Sequence, residues 1–134
     1  MTAAKILIVE DEMLVAIELE NILEDLGHSP VGIAADLADA EQLADQPLDL
    51  ALVDLNLRDG LTGPEIGRLL SARGVPVLFI TANPRQLGDG VAGTIGVLTK
   101  PTDEATVRAA VNYALGVRKG DRSVSPPASL KLFG

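Results

Sequence analysis

Short, almost unbroken apolar runs recur along this chain, separated by stretches with helical spacing. Residues 5–9 (KILIV), 30–34 (PVGIA), 49–53 (DLALV) and 76–80 (PVLFI) are such runs, and 95–99 (IGVLT) is a weaker fifth. Strands buried on both faces read this way, and they belong to parallel sheets covered by helices. Alternating strands and helices predict a doubly wound α/β sheet with short, right-handed connections.

The helical stretches carry their own signals. Within 12–26, Val15, Leu19, Ile22 and Leu26 form one apolar stripe, and Gly27 stops the helix. Residues 36–45 place Leu37, Ala40, Leu43 and Ala44 on one face behind Asp36, a predicted N-cap. The helix over 64–72 starts at Pro64, which suits a first helical position. Residues 103–117 align Val107, Ala110, Val111 and Ala114, with Asp103 and Glu104 favouring the helix start.

The connection at 83–96 (NPRQLGDGVAGTIG) breaks the rhythm with four Gly and a Pro. Each interior Gly costs a helix about 0.8–1 kcal/mol relative to Ala. The expectation is a helical turn near 84–88, then a loop. Residues 118–134 (RKGDRSVSPPASLKLFG) lack apolar periodicity and read as a tail or linker after a domain at 1–117. Within them LKLF at 130–133 is the apolar part.

Composition narrows the function classes. No apolar run approaches the ~20 residues of a membrane-spanning helix. MTAAK leads straight into a strand with no visible signal peptide, and there is no Cys. A cytoplasmic protein is expected, without disulfides or membrane insertion. A formal charge of −8 disfavours direct nucleic-acid binding. With no Trp and three aromatic residues (Phe79, Tyr113, Phe133), a stacking platform for single strands is disfavoured as well. His28, the one histidine, follows the Gly27 stop and reads as a solvated loop residue; zinc would lack ligands. GDGVAG lacks the Lys and following helix of a phosphate loop.

The polar residues that end the apolar runs carry the chemistry. Glu10-Asp11 follow ILIV, Asp54 follows LALV, Thr81 follows VLFI and Lys100-Pro101 follow GVLT. In an open parallel sheet such ends emerge on one edge, where ligands bind. Converging carboxylates repel unless a cation intervenes. Mg²⁺ prefers oxygen ligands and keeps open positions that a phosphoryl oxygen can enter. A carboxylate such as Asp54 can act as a nucleophile, the Thr81 hydroxyl can donate to a phosphoryl oxygen, and the Lys100 ammonium can neutralise its charge. Each also has a plain structural use: Glu10 to Glu12 as a solvated helix start, Asp54 and Thr81 as turn or capping residues, Lys100 as a loop lysine.

The set IVEDE, LVDLNLRDGLTG, FITA and LTKP resembles the receiver domain of two-component response regulators, over residues 5–117. The resemblance implies a flavodoxin-like fold, a five-stranded parallel sheet in the order 2-1-3-4-5 with a shortened or irregular fourth helix. It also implies a set of roles. Asp54 would accept a phosphoryl group from a sensor histidine kinase or histidine phosphotransfer protein. Glu10, Asp11, Asp54 and the Asn56 backbone carbonyl would hold Mg²⁺. Thr81, the Ala82 amide and Lys100 would bind the phosphoryl group, and Lys100-Pro101 would be a cis peptide.

Such a protein is a signalling phosphoacceptor rather than an enzyme acting on a separate substrate. It would switch the 82–99 region for contact with a downstream protein target. Two features depart from the pattern. Val97 stands where receivers commonly carry Tyr or Phe, so Thr81-linked loop motion must do more of the switching. The Thr81-to-Lys100 spacing is short. FITANPRQL looks like the variant group that includes general-stress-response regulator receivers. Tyr113 lies off the apolar stripe of 103–117, either on an output surface or packed on the helix flank. The chain reads as a stand-alone receiver. The alternatives are a receiver fragment of a longer regulator, a phosphorylation-independent pseudo-receiver and a phosphatase-like enzyme with an aspartyl nucleophile; a chain this short leaves the last little room for a substrate cap.

Overall fold

The computed structural model describes residues 3–121 and 123–133. Its elements run in this order: β1 (Lys5–Val9), α1 (Met13–Asp25), β2 (Ser29–Ala34), α2 (Leu37–Leu43), β3 (Leu50–Val53), α3 (Gly63–Ala72), β4 (Val77–Thr81). A 3-10 turn (Pro84–Leu87), β5 (Gly96–Thr99), α4 (Glu104–Arg118) and β6 (Lys131–Leu132) complete the chain. The sheet order is β2-β1-β3-β4-β5-β6. The five expected strands are parallel and in the expected order. One strand is added: β6 pairs antiparallel with β5, so the tail segment is held against the sheet.

Period-two alternation sorts the strand residues between two cores. Leu7, Val9, Ala51, Val53, Phe79 and Val97 point to the face covered by α2 and α3. Ile6, Ile8, Leu50, Leu52, Ile80 and Leu98 point to the face covered by α1 and α4. Every β3 and β4 residue is buried, which explains their unbroken apolar runs.

The predicted caps form. Asp36 accepts from the Asp39 N–H at 2.9 Å and Asp103 from the Thr106 N–H at 2.7 Å. Gly27 ends α1 with φ 86°. The fourth connection is the single 3-10 turn followed by a loop, as its glycines predicted.

Two expectations are corrected. The buried face of α1 is Ala16, Leu19, Ile22 and Leu23, while Val15 and Leu26 are half-buried. Ala16 and Leu23 join Leu19 and Ile22 on the buried side, Val15 and Leu26 pack at its rim, and Met13, Leu14 and Ile17 are exposed. His28 is more than a solvated loop residue: it is half-buried, and its Nδ1 accepts the Ala4 N–H at 3.1 Å. Among the described residues, no helix is long and apolar enough to cross a membrane.

Candidate functional site

β1 and β3 are neighbours in the sheet but not in sequence, so their C-terminal ends open a crevice. The parallel ladder runs one residue past each strand. The Glu10 N–H donates to Ala34 O at 2.8 Å, and the Asp54 N–H donates to Val9 O at 2.9 Å. These bonds fix both backbones and bring the two carboxylates side by side. Ligand oxygens of Glu10, Asp11 and Asp54 lie within 4.8 Å of one another. Glu10 is 2% exposed and Asp54 7%, while Asp11 faces solvent.

Lys100 enters from the far side. Its N–H donates to Thr81 O at 2.8 Å, which locks the end of β5 to the end of β4. Its Nζ then reaches Glu10 Oε1 at 2.5 Å and Asp54 Oδ2 at 2.9 Å. The Lys100–Pro101 peptide is cis, as expected.

Electrostatics follow from this burial. Desolvation pushes the Glu10 carboxyl up to about 7, against the hydrogen bonds from Lys100 and the Glu12 N–H. Burial alone would lower Lys100, but its hydrogen bonds to Glu10 and Asp54 prevail and hold it above its ordinary value. One ammonium faces three carboxylates here, so the site favours added positive charge. A hard divalent cation with oxygen ligands fits that donor set.

The remaining predicted residues are placed as follows. Thr81 is the last residue of β4, fully buried, and its Oγ1 accepts the Asn83 N–H at 3.1 Å. Ala82 is exposed and lines a cavity between α1 and α4 together with Lys100 and Pro101. Asn56 is exposed, and its Nδ2 donates to Gln86 Oε1 at 3.0 Å. Val97 is buried in the core below β5. Tyr113 is half-buried, packs against the α1/α4 core and lines a groove beside β6. The packing reading of Tyr113 therefore describes its inner side, while its outer side borders that groove.

Three contributors escaped the sequence reading. The Leu55 N–H donates to Asp54 Oδ1 at 2.7 Å and aims that carboxylate. Gln86 ties the 3-10 turn to the loop after Asp54; no local pattern marks such a partner. Gly63 lies so close to the Asp54 backbone that a Cβ would collide with Asp54 O. Its position just before Pro64 was a readable signal, because a close approach at a helix start needs Gly.

Comparison with known proteins agrees with this geometry. Residues 6–112 match the family described as the response regulator receiver domain. The chain is 37% identical over 124 residues to the phyllosphere-induced regulator PhyR of Methylorubrum extorquens, covering 90% of this chain and 46% of that protein. The solution structure of the Erythrobacter litoralis PhyR receiver domain is similar with 32% identity and a TM-score of 0.74, covering 94% of this chain and 96% of that one. The receiver domain of sensor histidine kinase PA1611 from Pseudomonas aeruginosa PAO1, solved with magnesium coordinated in its active-site cleft, is similar with 30% identity and a TM-score of 0.73. That likeness covers 86% of this chain and 99% of the PA1611 domain. The chain spans about half the length of the curated relatives it matches. A family match over residues 6–112 of 134, together with the fold, shows that this chain belongs to the response regulator receiver domain family.

Proposed function

We propose that the chain is a phosphoacceptor, modified on Asp54 by a histidine kinase or histidine phosphotransfer protein. One observation carries this reading. The Lys100 ammonium bridges Asp54 and Glu10 at the C-terminal edge of the sheet, with Asp11 beside them. In the transfer, an Asp54 carboxylate oxygen forms a bond to phosphorus. The bond from phosphorus to the donor imidazole nitrogen breaks, and its electron pair leaves with the imidazole. Leu55 N–H orients the acceptor carboxylate. Lys100 can follow the new negative charge without leaving Glu10. Thr81 can give its hydroxyl to a phosphoryl oxygen at the loss of its bond from Asn83 N–H.

Glu10, Asp11, Asp54 and the Asn56 carbonyl would hold Mg²⁺, which supplies positive charge against the phosphoryl oxygens. The output would be a change in the 82–99 region read by a downstream protein, with Val97 and Tyr113 beside it. Because the curated relatives are about twice as long, this receiver also suits a position inside a larger regulator. The pseudo-receiver reading has no feature here that favours it. Residues 1–117 form the receiver body in this proposal, and 118–134 its tail.

The test is direct. With Mg²⁺ and acetyl phosphate or a histidine kinase, intact mass should rise by one phosphoryl group, and Asp54→Asn should abolish the rise. Retention of phosphate by Asp54→Asn would move the acceptor elsewhere. Asp11→Asn should weaken Mg²⁺ binding by about tenfold or more, equivalent to about 1.4 kcal/mol; an unchanged affinity would remove Asp11 from the metal site.

A further inference from the structure

We infer that residues 130–133 form a releasable strap: this chain's own segment occupies the β5 edge, and phosphoryl transfer to Asp54 loosens it. The inference rests on Asp54 being the phosphoacceptor.

One residue that meets the strap, Gly96, has no other visible reason to be what it is. Gly96 lacks a positive φ, so its backbone does not call for glycine. A Cβ there would collide with the carbonyl oxygen of Lys131, so the close approach of the strap does call for it. At Gly90 a Cβ would lie 2.6 Å from Cγ of Phe133. The strap also has an anchor on each face of the sheet. Leu130 is buried in the α1/α4 core. Phe133 packs on the opposite core, its ring 6.4 Å from Phe79 and tilted by 52°. Its N–H donates to Ile95 O at 3.0 Å. Phe133 thus supplies an aromatic ring on the side of the sheet where the fourth helix is reduced to one turn.

The strap is short and peripheral. β6 has two residues, both exposed, and the 125–129 segment before it is mostly exposed. Few backbone bonds hold such an element, so its docking rests mainly on the Leu130 and Phe133 anchors and it can open without unfolding the sheet. Its departure would uncover the β5 edge and the Tyr113 and Val117 surface that Leu132 and Phe133 now face across a groove.

Two physical routes join Asp54 to the strap. The first is β5. Lys100 directly follows it, and Gly96 and Val97, which pair with Leu132 and Lys131, lie within it. A phosphoryl group on Asp54 competes for the ammonium now shared by Glu10 and Asp54, and so pulls on that strand. The second is the Asn56–Gln86 hydrogen bond. Leu87, the next residue, belongs to the same core that Phe133 packs on. The docked strap goes with the present arrangement of both routes, so a ligand that rearranges them shifts the docking equilibrium.

Coupling of this kind is reciprocal. If the phosphoryl group loosens the strap, a loosened strap must tighten phosphoryl binding by the same factor. The experiment uses the full chain with Mg²⁺ and beryllofluoride as the phosphoryl mimic, in wild type and in Gly96→Ala. NMR reads the affinity and the amide exchange of Phe133. Exchange at Phe133 should speed up by about fivefold or more in bound wild type, and Gly96→Ala should bind the mimic tighter by a similar factor. Phe133→Ala, which leaves Gly96 intact, should bind tighter too, so a folding defect in one variant cannot decide the matter. Unchanged exchange with equal affinities would make β6 a fixed sixth strand and overturn the strap while Asp54 remains the acceptor. Absence of mimic binding in all three chains would overturn the phosphoacceptor reading itself, and the strap's release with it.

Discussion

On one face of the sheet α1 and α4, of 13 and 15 residues, lie side by side and bury their small and branched residues. On the other, α2 and α3 have 7 and 10 residues, and the next connection supplies one 3-10 turn. That gap is closed by single side chains instead: Phe79 from β4, Leu87 from the 3-10 turn, Val91 from the loop after it, and Phe133 from the tail. A face closed by helices is held by many backbone hydrogen bonds. A face closed by isolated side chains depends on each of them, and it can rearrange without unfolding the rest. Thr81, two residues beyond Phe79 on β4, ends the strand on the adaptable side.

The largest test of this comparison is Phe79→Ala. Phe79 is fully buried under the thin face, and truncation should cost about 3–5 kcal/mol in urea unfolding. A loss below about 1 kcal/mol would mean that loop and tail collapse into the hole, and the contrast between the faces would fail. A smaller effect is expected at Gly67 on α3, where a Cβ would lie 2.5 Å from Cζ of Phe79. Gly67→Ala should cost about 1–3 kcal/mol by overpacking. Adding Phe79→Leu should recover part of that loss if the ring is the obstacle; no recovery would point to the helix backbone instead.

The smallest effect belongs to His28, at the far end of the well-packed face. Burial, with a lesser contribution from Lys119, holds its pKa below the ordinary value of 6.5. The folded state therefore prefers the neutral ring, whose Nδ1 accepts the Ala4 N–H. The stabilisation is present above about 6.5 and is lost as pH falls through that value towards the folded pKa. The urea midpoint should drop modestly from about pH 7 to about pH 5 in wild type, and less in His28→Gln. Equal slopes would assign the drop to other groups.

Much of the fold was legible because its signals are local. The unbroken apolar runs fix buried parallel strands, Asp36 and Asp103 cap helices by contacts three residues away, and four glycines forbid a long helix in 83–96. The carboxylate and lysine cluster was legible for a related reason: a residue that ends a parallel strand must emerge at one edge. The α1 stripe was read incompletely: Val15, Leu19, Ile22 and Leu26 all meet the α1/α4 core, but Ala16, which counts little in a hydrophobic pattern, is buried there too. Gln86 carried no local mark, since its partner Asn56 is distant in sequence.

By itself, then, the sequence determined the five parallel strands, which ends carry charge, and that Asp54, Glu10, Asp11 and Lys100 share one mouth. Periodicity, capping and strand-end chemistry operate within a few residues and survive without knowledge of the whole. Only the tertiary structure decided that Lys100 bridges two carboxylates, that Gly63 and Gly96 exist for close backbone approach, and that Phe133 returns to fill the gap beside Phe79. Those outcomes depend on distances between segments far apart in the chain, and no local pattern encodes a distance.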